Sequence, residues 1–387
     1  MEFKRKLNLE GLLRKKSFFL FGPRSTGKST LIHQKLGAHA LIIDLLESDL
    51  YLRLLQHPQE LENFVLGVAP KQHYIVIDEI QKVPELLNEV HRLIEKHKIR
   101  FLLTGSSARK LKNQNTNMLA GRAWMAHLFP LSWCEISSFN LQRYLQYGGL
   151  PHVYLSQAPE EELRAYVQTY LYEEIKAEGL VRKIPAFARF LEVAALGNGQ
   201  LLNFTEIGND ANMAPSTIRE YYSVLEDTLL GYLLHPWTKS KKRKAIQTAK
   251  FYFFDIGVVH ALTKAIALDR HSDKYGNAFE HFIGMELRAY LDYSRKFDDL
   301  CFWRSINGQE VDYVVGQHTA IEIKATTKVT EKHLKGLKAL AEEGVFREFL
   351  LVSQDPRSQK IGEIRCLPWE IFLKNLWEGS LFEKGLG

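Results

Sequence analysis

The chain has few cysteines, and they lie far apart. Its three cysteines, Cys134, Cys301 and Cys366, form no Cys-x-x-Cys pair. This spacing argues against a disulfide framework and against a cysteine zinc site, so we expect a reducing, cytoplasmic environment. The sequence also has no apolar run near the ~20 residues that a membrane helix requires, and its N-terminal segment is charged throughout. We therefore expect neither a signal peptide nor a membrane partner.

Composition places the chain among ordinary globular proteins. It has 387 residues, of which 45% are hydrophobic and 25% are charged, and it shows no fixed-period repeat. This length predicts two or three domains. The net charge of +6 and the pI of 8.9 fit a polyanionic partner, although solubility alone also explains them. The position of the positive charges therefore says more than their sum.

The segment 17–32, SFFLFGPRSTGKSTLI, is the most specific motif. An apolar strand breaks at Gly22 and a helical pattern returns at Lys28, as in a P-loop nucleotide site. Glycines here let successive N–H groups turn toward phosphate oxygens, and the helix N-terminus adds positive potential. Lys28 can reach the β- and γ-phosphates of ATP, and the Ser29 hydroxyl can bind Mg²⁺. A chance match in a glycine-containing turn is the alternative, and the flanking strand and helix argue against it. The predicted nucleotide contacts are Gly22, Pro23, Arg24, Ser25, Thr26, Gly27, Lys28, Ser29 and Thr30.

Two later strand ends carry polar residues that suit the same site. The apolar strand 74–77 ends in Asp78 and Glu79. In P-loop enzymes an acid at this place holds Mg²⁺, and an adjacent glutamate polarises the attacking water. The apolar strand 101–103 ends in Thr104. Because parallel sheets bind ligands at the carboxyl ends of their strands, these residues and the phosphate loop predict one ATP site.

The order of these pieces resembles the AAA+ group of ATPases. By that resemblance Thr104 is the sensor of the γ-phosphate, with Ser106 as the alternative. Arg109 and Arg122 are candidates for the arginine that stabilises transition-state charge, in the same chain or across a subunit interface, and Arg122 is preferred. Either arginine is equally well explained as a solvated surface residue. The resemblance implies a homo-oligomer, of which a hexamer is one form.

The middle of the chain resembles a helical lid followed by a winged-helix module. Residues 132–183 are expected to form the lid behind the ATP site. The predicted winged-helix elements are helices over 184–196, 205–210 and 216–227 and strands over 232–237 and 250–254. Ser216 is the expected N-cap of the third helix.

The third helix of a winged helix can enter the major groove of DNA. Thr217, Arg219 and Tyr222 are expected to face outward and contact DNA. The core positions of the same helix are Ile218, Tyr221 and Leu225. Winged helices in ATPases also serve as protein contacts, so DNA contact by this helix remains one of two interpretations.

A dense cationic run lies between the two predicted strands, and we call residues 239–244 the basic wing. Its charged residues are Lys239, Lys241, Lys242, Arg243 and Lys244. Such a loop gains affinity for nucleic acid by releasing condensed counterions. Charge runs are also commonly plain solvated loops. Its place beside a predicted recognition helix favours DNA binding.

The C-terminal part predicts a helix followed by three strands. Strands over 302–306 and 309–315 flank the dipeptide Asn307-Gly308, which favours a type I′ hairpin turn. Residues 320–324, AIEIK, form the next strand. Because strand side chains alternate, one arrangement of these strands brings Asp312, Glu322 and Lys324 together.

Asp312 followed by Glu322-Ile323-Lys324, with Glu280 on the preceding helix, resembles the PD-(D/E)xK restriction-endonuclease-like fold. The proline before the aspartate is absent, since Val311 stands there. The resemblance implies that Asp312 and Glu322 bind Mg²⁺, that Glu280 assists, and that Lys324 positions or activates the attacking water. A retained fold without activity is the alternative.

As a whole, the chain resembles AAA-type ATPases of bacteria and archaea with a C-terminal domain of unknown function and a nuclease-like fold. The expected fold class is α/β, divided into an ATPase core (1–131), a lid (132–183), a winged helix (184–267) and a nuclease-like domain (268–387). The expected function is an ATP-hydrolysing DNA motor or DNA-processing enzyme acting on duplex or branched DNA. The alternative is a nucleotide-controlled switch or scaffold with an inactive C-terminal domain.

Overall fold

The computed structural model describes residues 3–68, 74–107, 119–171, 184–265 and 268–382. The candidate Arg109 lies outside these residues. Of the helices described, none is both long enough and apolar enough to cross a membrane.

The N-terminal region is built on a parallel sheet. Its strands are β1 (Ser17–Phe21), β2 (Ala40–Asp44), β3 (Tyr74–Asp78), β4 (Phe101–Gly105) and β5 (Ala123–His127). Its helices are α1 (Leu9–Lys15), α2 (Lys28–Leu36), α3 (Ser48–Gln56), α4 (Glu60–Val68) and α5 (Leu86–His97). The strand order is β2-β3-β4-β1-β5, and all neighbours are parallel. Apolar clusters cover both faces, which explains why the strands are nearly continuous hydrophobic runs. The predicted parallel α/β core is confirmed.

The middle region, residues 132–171 and 184–262, is mainly helical. The helices are α6 (Leu141–Tyr147), α7 (Pro151–Leu155), α8 (Pro159–Ala165), α9 (Ile184–Leu196), α10 (Phe204–Ala211), α11 (Pro215–Asp227) and α12 (Ile256–Leu262). Short 3₁₀ turns occur at Ile80–Lys82, Trp133–Glu135 and Glu331–Leu334, and a π turn follows α8 at Tyr166–Leu171. Strands β6 (Gly231–Pro236) and β7 (Lys250–Phe253) pair antiparallel, as a wing hairpin would.

Two predictions for helix α11 were wrong. The helix begins at Pro215, so Ala214 is its N-cap and Ser216 lies inside the first turn. Proline suits that place because its fixed φ and missing N–H fit the first helical position. Tyr222 does not face outward: it is 3% exposed and packs edge-on against Phe190 and Phe251. It therefore belongs to the core and cannot contact DNA.

The C-terminal region shares one mixed sheet with the wing hairpin. Its strands are β8 (Leu300–Arg304), β9 (Glu310–Val315), β10 (Thr319–Lys324), β11 (Glu348–Ser353), β12 (Gln359–Ile361) and β13 (Ile364–Pro368). Its helices are α13 (Asp273–Tyr293), α14 (Lys335–Ala341) and α15 (Trp369–Glu378). The order is β12-β13-β11-β10-β9-β8-β6-β7. Because β6 pairs parallel with β8, the hairpin continues the C-terminal sheet and does not form a separate module.

The predicted type I′ turn at residues 307–308 was also wrong. Gly308 has a φ of +83°, but Asn307 does not adopt a positive φ. Ser305 N donates to Gln309 O at 2.8 Å, and Gly308 N donates back to Ser305 O at 3.0 Å. The connection is therefore a longer loop in which glycine alone takes the left-handed position.

Candidate functional site

The phosphate loop lies where β1 ends, and its geometry requires glycine. Gly27 has a φ of +91°, in the left-handed region. A Cβ on Gly22 would lie 2.5 Å from the carbonyl oxygen of Leu128, so this position accepts only glycine. Lys28 Nζ donates to the carbonyl oxygens of Gly22 at 2.7 Å and Pro23 at 3.2 Å. The lysine ammonium thus already lies against the loop that would hold phosphate.

The strand ends meet at this loop in a chain of hydrogen bonds. Ser29 Oγ donates to Asp78 Oδ2 at 2.9 Å. Thr104 Oγ1 donates to the other oxygen of Asp78 and accepts the backbone N–H of Glu79 at 3.1 Å. The structure thus brings together Ser29, Asp78, Glu79 and Thr104, which come from three separate segments.

Gln81 is a further member of this site that sequence reasoning missed. Its side chain is 6% exposed and donates from Nε2 to Glu79 Oε2 and, at 3.3 Å, to Ser106 Oγ. Glu79 itself has a φ of +60°, a left-handed conformation that few non-glycine residues adopt. The amide of Gln81 therefore fixes the direction of the Glu79 carboxylate. Only the two-residue spacing between them could have indicated this contact.

Arg122 does not lie at the ATP site of its own chain. It precedes β5, whose parallel pairing with β1 places residue 122 at the edge of the sheet opposite the phosphate loop. There its guanidinium forms an ion pair with Glu95, at 2.5 Å between Nε and Oε1. Its assignment as the catalytic arginine in the same chain is thus wrong, because one strand length separates it from the loop. A role across a subunit interface stays a prediction.

A cavity of about 410 Å³ opens beside the phosphate loop. Its lining combines the N-terminal segment, the start of α2 and the turn before α7: Phe3, Arg5, Gly27, Thr30, Leu31, Gln34, Pro151 and Leu155. The cavity is largely apolar and adjoins the phosphate loop, as the nucleoside part of ATP requires.

Arg5 connects this loop with three other parts of the chain. It is 9% exposed and donates to the carbonyl oxygens of Thr26 at 2.7 Å and Phe129 at 2.6 Å. Its Nε lies 3.1 Å from Glu135 Oε1, and one Nη lies 3.4 Å from the hydroxyl of Tyr293 on α13. The phosphate loop, the 3₁₀ turn at Trp133–Glu135 and helix α13 therefore meet at one buried guanidinium.

Replacing Arg5 with alanine should lower the free energy of unfolding by about 3–5 kcal/mol, because Glu135 would keep a buried charge without its cation. The matched control is Arg14→Ala, whose side chain is 73% exposed and pairs with Glu10 on the surface. That exposed pair should contribute about 0–1 kcal/mol. Urea unfolding of both variants measures the difference, and equal losses would contradict the buried role of Arg5.

The second candidate site lies where β9 and β10 run antiparallel. Their ladder pairs Ile321 with Tyr313, so the next residues, Glu322 and Asp312, lie opposite each other on one face. Lys324 Nζ lies 2.5 Å from Glu322 Oε1 and 3.6 Å from Asp312 Oδ2. The structure thus brings together the three side chains that the alternation of the strands suggested.

Two residues of β7 complete this site, and sequence reasoning missed both. Lys250, 5% exposed, has its Nζ 3.4 Å from Glu280 and 2.6 Å from Glu310. The hydroxyl of Tyr252 donates to Glu280 Oε1 at 2.5 Å. Glu280 belongs to helix α13, and its carboxylate is bound by two side chains of strand β7. No local pattern indicates these contacts, because they join strands from different regions.

Burial and neighbouring charges shift the pKa values in this site. Burial, followed by repulsion from Glu280, raises the pKa of Asp312. Burial, followed by repulsion from Asp312, raises the pKa of Glu322 well above its ordinary value. Burial lowers the pKa of Lys324, but the carboxylates of Asp312 and Glu322 raise it by a larger amount, so the net shift of this pKa is upward. The lysine cation thus stabilises a crowded set of acids.

Both sites offer carboxylate oxygens that suit Mg²⁺. Within the described ranges, no three histidine, cysteine, aspartate or glutamate side chains are grouped closely enough to hold a metal by themselves. Mg²⁺ needs only one or two carboxylates, with water and phosphate as the other ligands. Ser29 with Asp78 meets that need at the first site. At the second, Glu322 Oε2 is buried and has no hydrogen-bond partner in the described structure, as a metal ligand would before binding.

The predicted DNA contacts lie in different environments. Lys239, Lys241, Lys242 and Lys244 are exposed. Arg243 is half-buried: its guanidinium donates to Glu342 Oε2 at 2.8 Å and to the carbonyl oxygen of Ala339 at 2.9 Å. On α11, Thr217 is half-buried, and Arg219 is exposed with its guanidinium 5.2 Å from the ring centre of Phe204. Among the predicted DNA contacts, the exposed cations are therefore Arg219 and the four lysines of the basic wing.

Comparison with protein families divides the chain into three parts. Residues 14–137 match the model of an AAA domain. Residues 138–269 and 275–372 match two domains of unknown function, DUF8612 and DUF4143. With its phosphate loop and parallel sheet, the N-terminal region is an AAA-type P-loop domain.

Similar proteins include uncharacterized proteins of Mycobacterium bovis and Mycobacterium tuberculosis. Each is 28% identical over 323 residues, which covers 80% of this chain and 70% of the relative. An uncharacterized protein of Haemophilus influenzae is 24% identical over 350 residues, covering 81% of this chain and 85% of the relative. Among solved structures, the Aeropyrum pernix ORC1 protein in complex with DNA is 12% identical with a TM-score of 0.28, over 67% of this chain and 93% of that one.

Proposed function

We propose that this protein hydrolyses ATP at the N-terminal site and acts on DNA through its middle and C-terminal regions. One observation carries the ATPase proposal: Ser29, Asp78 and Thr104 form a continuous hydrogen-bonded chain beside the phosphate loop, and Glu79 follows Asp78 directly. A hydroxyl, two acids and a polar strand end in this order are what phosphoryl transfer to water uses.

Each residue has a distinct task in this proposal. Lys28 and the loop N–H groups hold the phosphates. Ser29 and Asp78 would hold Mg²⁺, and the ion would supply neutralisation of the phosphate charge. Glu79 accepts a hydrogen bond from the attacking water, and Gln81 keeps its carboxylate in that direction.

The DNA part of the proposal rests on the basic wing and on the acidic site below it. The wing lysines are exposed, and none has an ion-pair partner among the residues that the structure describes. The wing strand β7 also delivers Lys250 to the site of Asp312 and Glu322. The wing therefore joins two strands of the sheet that carries the candidate phosphodiester-cleaving site. A homo-oligomer, including a hexamer, is part of the proposal.

A nucleotide-controlled scaffold is the second candidate function. It is favoured by the charge balance of the C-terminal site, where Lys250 and Lys324 already pair with the carboxylates. The two functions differ in how ATP hydrolysis responds to DNA. Acceleration by duplex, single-stranded or branched DNA supports a DNA-acting ATPase, whereas an unchanged rate with all three supports the scaffold.

Alanine at Lys239, Lys241, Lys242 and Lys244 should weaken DNA binding and flatten its salt dependence. Each lost phosphate contact should reduce the log–log slope by up to ~0.9, because fewer counterions are released. Arg243 is kept, since its bonds to the C-terminal region hold the wing in place. Fluorescence anisotropy over a range of salt concentrations gives the slope.

The control for this measurement removes four exposed lysines elsewhere: Lys15, Lys35, Lys96 and Lys374. It changes the net charge equally, so general electrostatic attraction falls by a similar amount. If both variants gave the same log–log salt slope, the basic wing would be an ordinary solvated loop without specific phosphate contacts.

A further inference from the structure

The backbone of the basic wing encloses an anion that the chain itself supplies. The N–H groups of residues 241–243 donate to the Glu343 carboxylate at 2.7–3.2 Å. The hydroxyl of Ser240 donates to the same carboxylate at 2.6 Å. Four donors from consecutive residues thus converge on one acidic group about a hundred residues away in the sequence. We call the hydroxyl and the three amides the wing nest.

The wing nest has the properties of a phosphate site. Successive backbone N–H groups that point into one concavity bind anions, because their partial positive charges add. Burial raises the pKa of Glu343, but the bonds from Ser240 and the amides outweigh it, so the net pKa is lowered and the group is an anion at neutral pH. The four wing lysines are exposed, and they lie within or directly beside the nest in sequence, so they add positive charge to this loop. A phosphate diester carries the same single charge as the carboxylate.

Contacts other than those to Glu343 also hold the basic wing in place. Arg243 bonds to Glu342 and Ala339, and Ile306 N donates to the carbonyl oxygen of Lys244 at 3.0 Å. Glu343 follows helix α14 by two residues, and Gly344, the next residue, takes a left-handed φ of +67° with open space around it. The wing therefore keeps bonds to the C-terminal region that do not depend on Glu343.

We propose that the wing nest is a phosphate site of the DNA-binding surface and that Glu343 occupies it as an internal substitute for a DNA backbone phosphate. DNA must displace Glu343 to engage the nest, so this glutamate lowers the affinity of the resting protein. The inference rests on the proposed DNA binding and adds a competing group built into the chain.

The test compares Glu343→Gln with Glu370→Gln for binding to one labelled duplex across a range of salt concentrations. Glu370 is exposed on α15, so both variants lose one negative charge and differ only in the nest. A glutamine is a poorer occupant, because its amide N–H₂ faces the N–H donors. Glu343→Gln should bind about 3- to 10-fold more tightly than Glu370→Gln, with a salt slope steeper by up to ~0.9 for one added phosphate contact. Thermal unfolding of both variants checks that each is folded.

Three other results are informative. Equal affinity of the two variants overturns the inference and leaves the DNA proposal standing. Weaker binding by Glu343→Gln also overturns it, since Glu343 would then anchor the wing in its DNA-binding position. Absence of salt-dependent binding by the unmodified protein and by both variants overturns the proposed DNA function itself.

Discussion

Replacing Glu79 with glutamine is expected to lower the rate of ATP hydrolysis by about 10²–10⁴-fold while ATP still binds. The amide keeps the size of the side chain but cannot accept a proton from the attacking water. The structure strengthens this expectation, because Gln81 holds the Glu79 carboxylate and Thr104 holds its backbone N–H. Phosphate release in single turnovers measures the chemical step, and a fluorescent ATP analogue measures binding.

Lys28→Ala should behave differently in the same assays. It removes the ammonium that lies 2.7 Å from the loop carbonyl of Gly22, so both ATP binding and hydrolysis should be lost. Glu85→Gln is the control for Glu79→Gln, since Glu85 is exposed and lies six residues away in the sequence. Normal turnover in the Glu79→Gln protein would remove that residue from the mechanism.

Local sequence determines most of the ATP site, which is why that site could be predicted. The phosphate loop follows from the glycine spacing, and Asp78 and Thr104 follow because each ends an apolar strand of a parallel sheet. The catalytic arginine was assigned by resemblance alone, and strand direction excludes Arg122 from the site of its own chain. Arg122 precedes its strand, and in a parallel sheet the start of a strand lies at the edge away from the ligand.

Tyr222 shows a different kind of error. The predicted core face of α11 contains Ile218, Tyr221 and Leu225 but omits Tyr222, which lies four positions after Ile218 and shares its side of the helix. The structure buries all four residues. A wider apolar stripe, as a helix packed on two neighbours requires, would have included Tyr222.

Contacts between distant segments account for what the sequence could not predict. Lys250 meets Glu280 only because the wing hairpin joins the C-terminal sheet through β6 and β8. Glu343 lies two residues after α14, and it contacts the basic wing because residues 240–243 lie against the end of that helix. Neither contact leaves a periodic signal, since periodicity reports which side of an element is buried but not which element covers it.

Substitutions at the C-terminal site are expected to have a large effect on DNA cleavage. If the C-terminal site is a nuclease, the purified protein should cleave DNA with Mg²⁺ or Mn²⁺. Asp312→Ala or Lys324→Ala should then lower the rate by at least ~10²-fold, because the first would remove a metal ligand and the second a group that positions or activates water. Asp312→Asn preserves side-chain size and guards against a folding defect. Asp299→Asn is the matched control, since Asp299 is exposed.

ATP hydrolysis should stay unchanged in the Asp312 and Lys324 variants, because the proposed ATP site uses Ser29 on α2 and Asp78 on β3, in the N-terminal region. Chelation of divalent cations should stop both reactions in the unmodified protein. A protein that cleaves no DNA would contradict this prediction. If duplex, single-stranded and branched DNA all remain intact and no divalent cation binds outside the ATP site, then Lys324 and Lys250 serve as permanent partners of the buried carboxylates. The C-terminal region would then be a binding or assembly module, whose acids hold the wing strand to the sheet.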